Sequence, residues 1–456
     1  MKTLRPYQEE DALKLTQYAS TACFNEQRTG KTLTALRTIS LRNLIDHRVL
    51  VISTLSGIPG WLQDSIDSNI PMRPCVGTPQ KKIQIINEWT HGALIITYDS
   101  LKSTSSKTGL IKLILEKKPS LVILDEAHRI RKNKNFTTKA IMQLKGIPYK
   151  LALTGTPAYG ITEDIANILV WLYPHKFKSI YAFKEEYMDK IFETIFTRQG
   201  RQVVTKYTNM NPIKEKELQE FLSQISTMRK RKDPDVMPWL PEKDYEDIKL
   251  PMTPEQRKAI EGLAGIFETE GLVVKGVLDR LIRYRQICND PALVGLKGKS
   301  PKTEFIKNYI ADNPDKPIII FSNFTEYLHN LFDELESVAM IVGATSLKDR
   351  AKYQADFQAG KFNILLINIS AGKEALTLDR AETVIFADKY PPLGDIQQAE
   401  DRFVATTEDK ADKPHTIYSL MIADSFDEDI NMMLSNRQSE TDVINNFTKY
   451  IKERRK

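Results

Sequence analysis

Residues 25–32 read NEQRTGKT, and the fold depends on whether these eight letters form a phosphate-binding loop. Gly30, Lys31 and Thr32 are the tail of the pattern G-x-x-x-x-G-K-[ST], but Asn25 stands where that pattern has its first glycine. On one side TACF (21–24) is a short apolar segment of strand size. On the other, LTALRTISL (33–41) spaces leucine and isoleucine as a helix does. A loop between a strand and a helix N-terminus suits phosphate, because loop N–H groups and the helix dipole face the anion. Lys31 can then reach the β- and γ-phosphates, and the Thr32 hydroxyl can sit on Mg²⁺. Gly30 matters more than the missing first glycine, since it is where the backbone comes closest to phosphate.

About ninety residues on, the apolar run SLVIL ends in DEAH at 125–128. A carboxylate at a strand tip is a usual second magnesium anchor, so Asp125 is the metal candidate and Glu126 the residue that orients the attacking water. The bland reading is that the acidic pair merely begins a helix. The order of strand, carboxylate pair and upstream G-K-T favours a nucleotide hydrolase.

The chain has 456 residues, enough for two or three domains. Its longest apolar runs, such as VLVIS and SLVIL, are strand-sized, so no bilayer span is expected. The N-terminus MKTLRPYQEE lacks the apolar core of a signal peptide. Cys23, Cys75 and Cys288 have no metal-type or disulfide-type spacing, so no metal cluster is expected and the predicted setting is reducing and cytoplasmic. A formal charge of +6 suits a polyanionic partner and equally an ordinary soluble protein.

In the first third, VLVIS (49–53), ALIITY (93–98), LVILDE (121–126) and KLALTG (150–155) alternate with helical spacing, the βαβ signature of a parallel sheet. From 174 to 297 the sequence turns charged and helix-forming, broken by the proline-rich DPDVMPWLPEK. Strands return as PIIIFS (317–322), MIVG (340–343), FNILLI (362–367) and TVIFAD (383–388), and a helical tail ends in KERRK. The expectation is an α/β protein: a first lobe over 1–173, a helical insert and linker over 174–297, and a second lobe with a helical tail over 298–456.

Taken together these residues resemble helicase superfamily two, specifically its SWI/SNF-type branch, over nearly the whole length. The resemblance implies two RecA-like lobes. LRPYQ at 4–8 resembles the branch's adenine-recognition motif, implying that Gln8 reads the base, with Arg5 beside it in the nucleotide site. The branch's phosphate loop reads D-E-x-G-x-G-K-T, so Arg28, Thr29, Gly30, Lys31 and Thr32 align with it, and Asn25 and Arg28 are the departures. ISTLSGIPGW resembles motif Ia, ITYDSL motif Ib, DEAHRIRKNKN motif II and LTGTPAYG motif III. By that likeness His128, Thr154, Gly155 and Thr156 couple ATP state to lobe movement. RQICNDPALVG resembles the branch's linker, with Asp290 in place of histidine. FSNFTEYLHNL is similar to motif IV, NISAGKEALTL to motif V and QQAEDRF to motif VI.

Motif VI implies that Gln398 and Arg402 act on ATP held by the other lobe, but its second arginine falls on Ala405. A finger arginine contributes roughly 10³–10⁵ in turnover, so the expectation is a chain that binds ATP and hydrolyses it poorly. Three readings stand: another arginine substitutes, Arg402 acts alone, or the position was changed to trap a state.

The resemblance also implies a nucleic-acid track held through its backbone. The candidate contacts are Ser53, Thr54, Thr97, Tyr98 and Lys102 in the first lobe and Ser322, Asn323, Ser370 and Lys373 in the second. Each has a plain alternative as a strand-end or cap residue. The basic runs RIRKNKN (129–135) and RKRK (229–232) are read as DNA contacts against the alternative of a solvated face. Trp239 is either a strand-parting wedge or part of the insert's core. The expected activity is ATP- and Mg²⁺-dependent movement on DNA by a monomeric motor that acts on forks or migrating branches, as in compact bacteriophage-encoded members. The alternatives are a duplex translocase that displaces proteins or serves a larger complex, and a hydrolysis-poor DNA-binding factor.

Overall fold

The computed structural model describes residues 3–101, 109–131, 135–155, 165–197, 200–240, 243–265, 275–372, 376–404, 415–436, 438 and 440–453. The chain divides into two compact units, Met1–Pro238 and Trp239–Lys456.

The first unit is built on a parallel sheet. Its strands are β1 (Ser20–Cys23), β2 (Arg48–Ser53), β3 (Met72–Cys75), β4 (Gly92–Thr97), β5 (Leu121–Leu124) and β6 (Tyr149–Leu153), joined later by the two-residue β9 (Ser226–Thr227). Their order is β3-β4-β2-β5-β6-β1-β9. Alternate residues feed two cores: Leu50, Ile52, Leu94 and Ile96 pack on one face, and Val49, Val51, Ile95 and Ile123 on the other. Burial of both faces is why these strands read as unbroken β-branched runs. β3 carries Pro74 and lies at the sheet edge, where the missing N–H costs no ladder bond.

The segment expected to be helical does contain helices at Ile180–Tyr187, Pro212–Ile225, Pro254–Gly265 and Lys275–Asn289. It also contains strands. β7 (Met188–Thr197) and β8 (Gly200–Met210) form a separate antiparallel pair in the first unit. β10 (Lys243–Leu250) pairs in parallel with a strand of the second unit's sheet along its full length.

That second sheet has the order β10-β15-β14-β11-β13-β12, with β11 (Ile318–Ser322), β12 (Val338–Ile341), β13 (Ile364–Asn368), β14 (Thr383–Phe386) and β15 (His415–Ile422). All of its pairings are parallel. Two cores again flank it, one holding Ile319, Phe321, Leu365 and Phe386, the other Ile318, Ile320, Leu366 and Ile385. The fold class is therefore as expected, two parallel-sheet α/β lobes. The expected helical tail is present as Glu440–Glu453. Among the described residues no helix is long and apolar enough to cross a membrane. Cys23, Cys75 and Cys288 are buried free thiols.

Candidate nucleotide site

β1 delivers the chain to the loop 24–30, and α2 (Lys31–Leu41) starts directly after it. Gly30 sits at φ 75°, and a Cβ there would lie 2.2 Å from Nε2 of Gln8. Only glycine satisfies both the left-handed backbone and that approach. Gln8 belongs to α1 (Pro6–Leu15), whose N-terminus is locked when Gln8 Oε1 accepts the Arg5 N–H at 2.9 Å. Its amide nitrogen donates to the Thr29 carbonyl at 3.1 Å, and the Tyr7 hydroxyl donates to the same carbonyl at 2.9 Å. The motif beginning at Arg5 is thus bonded to the phosphate loop.

Lys31 Nζ donates to the carbonyls of Asn25 and Glu26, each at 3.0 Å. The loop's own carbonyls thus hold the ammonium. Arg28 stands at φ 64°, in the region where an L side chain costs about 1 kcal/mol or more. The SWI/SNF-type pattern has glycine here, so the loop keeps the glycine conformation although the glycine is gone.

Asn25, the other departure, is fully buried. Its side-chain amide donates to Asp11 of α1 at 2.6 Å, and its Oδ1 accepts the Arg229 N–H at 3.0 Å. Arg229 in turn meets Asp11 at 3.0 Å, Glu10 at 2.7 Å and Asp235 at 2.6 Å. Glu26 accepts the Arg231 N–H at 2.7 Å. Arg229 and Arg231 are expected from the RKRK run to contact DNA; Arg229 instead ties the loop's Asn25 to α1 through the buried Asp11, a carboxylate that demands a cation, and Arg231 pairs with Glu26 of the loop. Burial raises the Asp11 carboxyl above its ordinary range, opposed by the Asn25 amide and Arg229. No local pattern announces this clamp, since Arg229 lies some two hundred residues from Asp11 and Asn25.

At the tip of β5, Asp125 Oδ2 accepts the Ser53 hydroxyl at 2.6 Å and the Trp61 indole N–H at 2.9 Å. Burial and then the neighbouring Glu126 raise its carboxyl; the hydrogen bonds from Ser53 and Trp61, and then the Lys31 charge, pull it back. A divalent cation would remove this penalty. Thr32 on the first turn of α2 and Asp125 are the residues that fit Mg²⁺. Glu126 lies at φ 50°, and its carboxylate is 3.2 Å from His128 Nδ1. His128 also meets the Thr154 hydroxyl at 3.3 Å. A Cβ on Gly155 would lie 3.2 Å from the Gln27 side chain, so motifs I, II and III converge. Thr156 lies outside the described residues.

Several residues expected to touch a nucleic-acid backbone turn inward instead. Ser53 is fully buried against Asp125, and buried Tyr98 donates to the Asp125 carbonyl at 2.7 Å. Thr97 is largely buried, its hydroxyl 2.8 Å from that of Ser100. Half-buried Thr54 accepts the Gly57 N–H at 3.0 Å, just ahead of the helix Ile58–Asp67. Such strand-end hydroxyls satisfy loop and helix termini that water does not reach. Lys102 and Lys373 lie outside the described residues, as do 132–134 of the basic run after motif II.

In the second unit the buried Ser322 hydroxyl donates to Asp388, and so does the Asn323 side-chain amide at 2.7 Å. Arg285 completes the cluster at 3.1 Å from Asp388, its guanidinium stacked over Tyr390 at 3.9 Å. Ser370 is exposed beside the end of β13. Gln398 lies in the last turn of the helix Leu393–Glu400, and the Arg402 carbonyl accepts the Leu378 N–H at 2.8 Å, tying motif VI to motif V. Ala405 lies outside the described residues. Trp239 is half-buried.

Two parallel-sheet lobes, the first carrying a glycine-lysine loop bonded to α1 and a carboxylate at a strand tip, are the arrangement that the SWI/SNF-type resemblance implies. The SNF2-related domain family matches residues 17–293, more than half of the chain, and the helicase conserved C-terminal domain family matches 301–404. The chain belongs to the SNF2-related domain family. It is 25% identical to chromatin structure-remodeling complex subunit snf21 of Schizosaccharomyces pombe, over 92% of this chain and 37% of that protein. It is 24% identical to an uncharacterized ATP-dependent helicase of Mycoplasma pneumoniae, over 83% of this chain and 36% of the relative. The chain spans about a third of the length of these curated relatives. Among solved structures it resembles the Pyrococcus furiosus Hef helicase domain, with a TM-score of 0.52, 16% identity, and coverage of 94% of this chain and 97% of that one.

Proposed function

We propose that the chain hydrolyses ATP to move along DNA, and that branched DNA, a fork or a migrating junction, is its substrate. The observation that carries the reading is the union of Gln8, Gly30 and Lys31 at one loop, with Asp125 at the tip of β5, two strands along the sheet, within the electrostatic reach of Lys31. Membership of a family that includes ATP-dependent helicases and chromatin-remodelling subunits supports the DNA track.

In this reading Gln8 reads the base, with Arg5 holding its motif in place. Arg28, Thr29, Gly30, Lys31 and Thr32 hold the phosphates, and Glu126 orients water. Mg²⁺, held by Thr32 and Asp125, would supply charge neutralisation at the phosphates. His128, Thr154, Gly155 and Thr156 report the nucleotide's state, while Gln398 and Arg402 are the second unit's contribution to hydrolysis. Thr54, Asn323 and Ser370, none of them buried, are the backbone contacts of this reading, together with Lys102 and Lys373, which lie outside the described residues. Each unit's grip on DNA alternates with nucleotide state, and a monomer steps along one strand.

Lys31→Ala is expected to lower DNA-stimulated phosphate release at least a hundredfold while DNA affinity stays within threefold. Unchanged phosphate release sinks the assignment. Turnover measured with duplex, fork, Holliday junction and single-stranded DNA or RNA ranks the substrates. Equal turnover on linear duplex and fork without strand separation would favour the duplex-translocase reading. Ala405 in motif VI favours one further reading, a factor that binds DNA and hydrolyses ATP slowly, and the same assay measures it.

A further inference from the structure

We infer that the antiparallel arm β7–β8 engages nucleic acid at the point where two strands part, with Phe192 as its stacking face. This rests on the DNA-motor reading above and assigns a part of the chain that the nucleotide site does not use.

The arm is a two-stranded sheet of its own, with no third strand among the described residues. Strands of ten and eleven residues reach about 30 Å at roughly 3.3 Å per residue. A lone hairpin is marginal in water, so its root has to be held, and it is. Phe183 and Tyr187 of the preceding helix stack in the first unit's core. The Asn211 N–H donates to the Tyr187 carbonyl at 2.8 Å, and its side chain donates to Asp189 at 3.1 Å. The Tyr207 hydroxyl and Lys190 both bond to Glu185. Beyond the root the arm turns apolar surface to solvent: Phe192 is 75% exposed, opposite the exposed Thr205, and Ile191 is 47% exposed.

Charge selects the partner. From Met188 to Met210 the arm's sequence has Lys190, Arg198, Arg201 and Lys206 against Asp189 and Glu193, a positive excess, and at the root Asp189 and Lys190 are already bonded to Asn211 and Glu185. A partner suited to an anchored arm with an exposed aromatic ring and an excess of positive charge is anionic and offers flat apolar faces. Nucleic acid does both, since every base stacks on an aromatic ring and every residue carries a phosphate. Apolar side chains that enter a base step unstack it, which is what parting a duplex at a fork requires.

The test uses the full chain and a DNA fork with 2-aminopurine at the junction. Phe192→Ala is expected to reduce fork unwinding and the junction's fluorescence response at least tenfold, with ATP turnover on linear duplex within twofold of the parent. Phe192→Tyr, which keeps the ring, should unwind within threefold of the parent. Fork unwinding by Phe192→Ala at the parent's rate overturns the inference. So does an equal fall in duplex-stimulated turnover, which marks a structural role, and so does a change confined to sedimentation, which marks a contact between copies. A parent that turns over ATP on DNA without parting forks overturns the arm's role alone. A parent without DNA-stimulated turnover removes the motor reading itself.

Discussion

Arg28 and Asn25 depart from the family's phosphate-loop pattern, and the structure treats them in opposite ways. Asn25 is absorbed: its amide bridges Asp11 and the Arg229 backbone, fastening the loop to α1. Arg28 is tolerated, with its backbone held at φ 64°. Left-handed strain kept at a ligand loop points to a use for the side chain. Arg28→Gly is therefore expected to stabilise the first unit by about 1 kcal/mol and to weaken ATP binding several-fold, measured by urea unfolding and nucleotide titration. Asn25→Ala should act in the other direction. It removes a donor from a buried carboxylate, at a cost of about 2–3 kcal/mol, read from the same urea curves.

At the scale of elements, β6 contains a charge that its neighbours barely tolerate. Burial lowers the Lys150 ammonium to about 8, although it donates to the carbonyls of Lys145 and Trp171, each at 2.9 Å. Its folded-state pKa lies below the unfolded value, so between about pH 8 and 10.5 the unfolded chain binds more protons and stability rises with pH. The rise contributed by this group is at most about 3 kcal/mol. Lys150→Met should flatten it, followed through tryptophan fluorescence in urea at pH 7.5 and 10. The strands themselves were unevenly legible. Those buried on both faces show in their composition, because apolar neighbours above and below admit nothing else. β10 was not legible: KDYEDIKL is an edge strand with mostly exposed residues, and its charges guard the open edge. β7 and β8 lie outside either main sheet, so they lack the unbroken apolar runs by which the central strands show themselves.

At the scale of the whole molecule, each unit has its own sheet and its own pair of cores. The nucleotide loop and the strand-tip carboxylate both belong to the first unit, as do Trp61, Trp89 and Trp171 among the chain's four tryptophans. MgATP at a hundred times its Kd should stabilise that unit by about 2.7 kcal/mol. Lys31→Ala should abolish the gain, with tryptophan fluorescence in urea as the measurement.

Local spacing was enough to locate the phosphate loop, most of the central strands and the motif order, because a strand's period, a helix's period and a glycine-lysine turn are properties of neighbouring residues. Long-range packing assigned β10 to a partner strand about 170 residues later and made Arg229 a brace for Asn25. It also turned the hydroxyls of Ser53, Tyr98 and Ser322 inward. Those outcomes depend on which distant groups share a buried, water-poor space, and no short window of sequence records that.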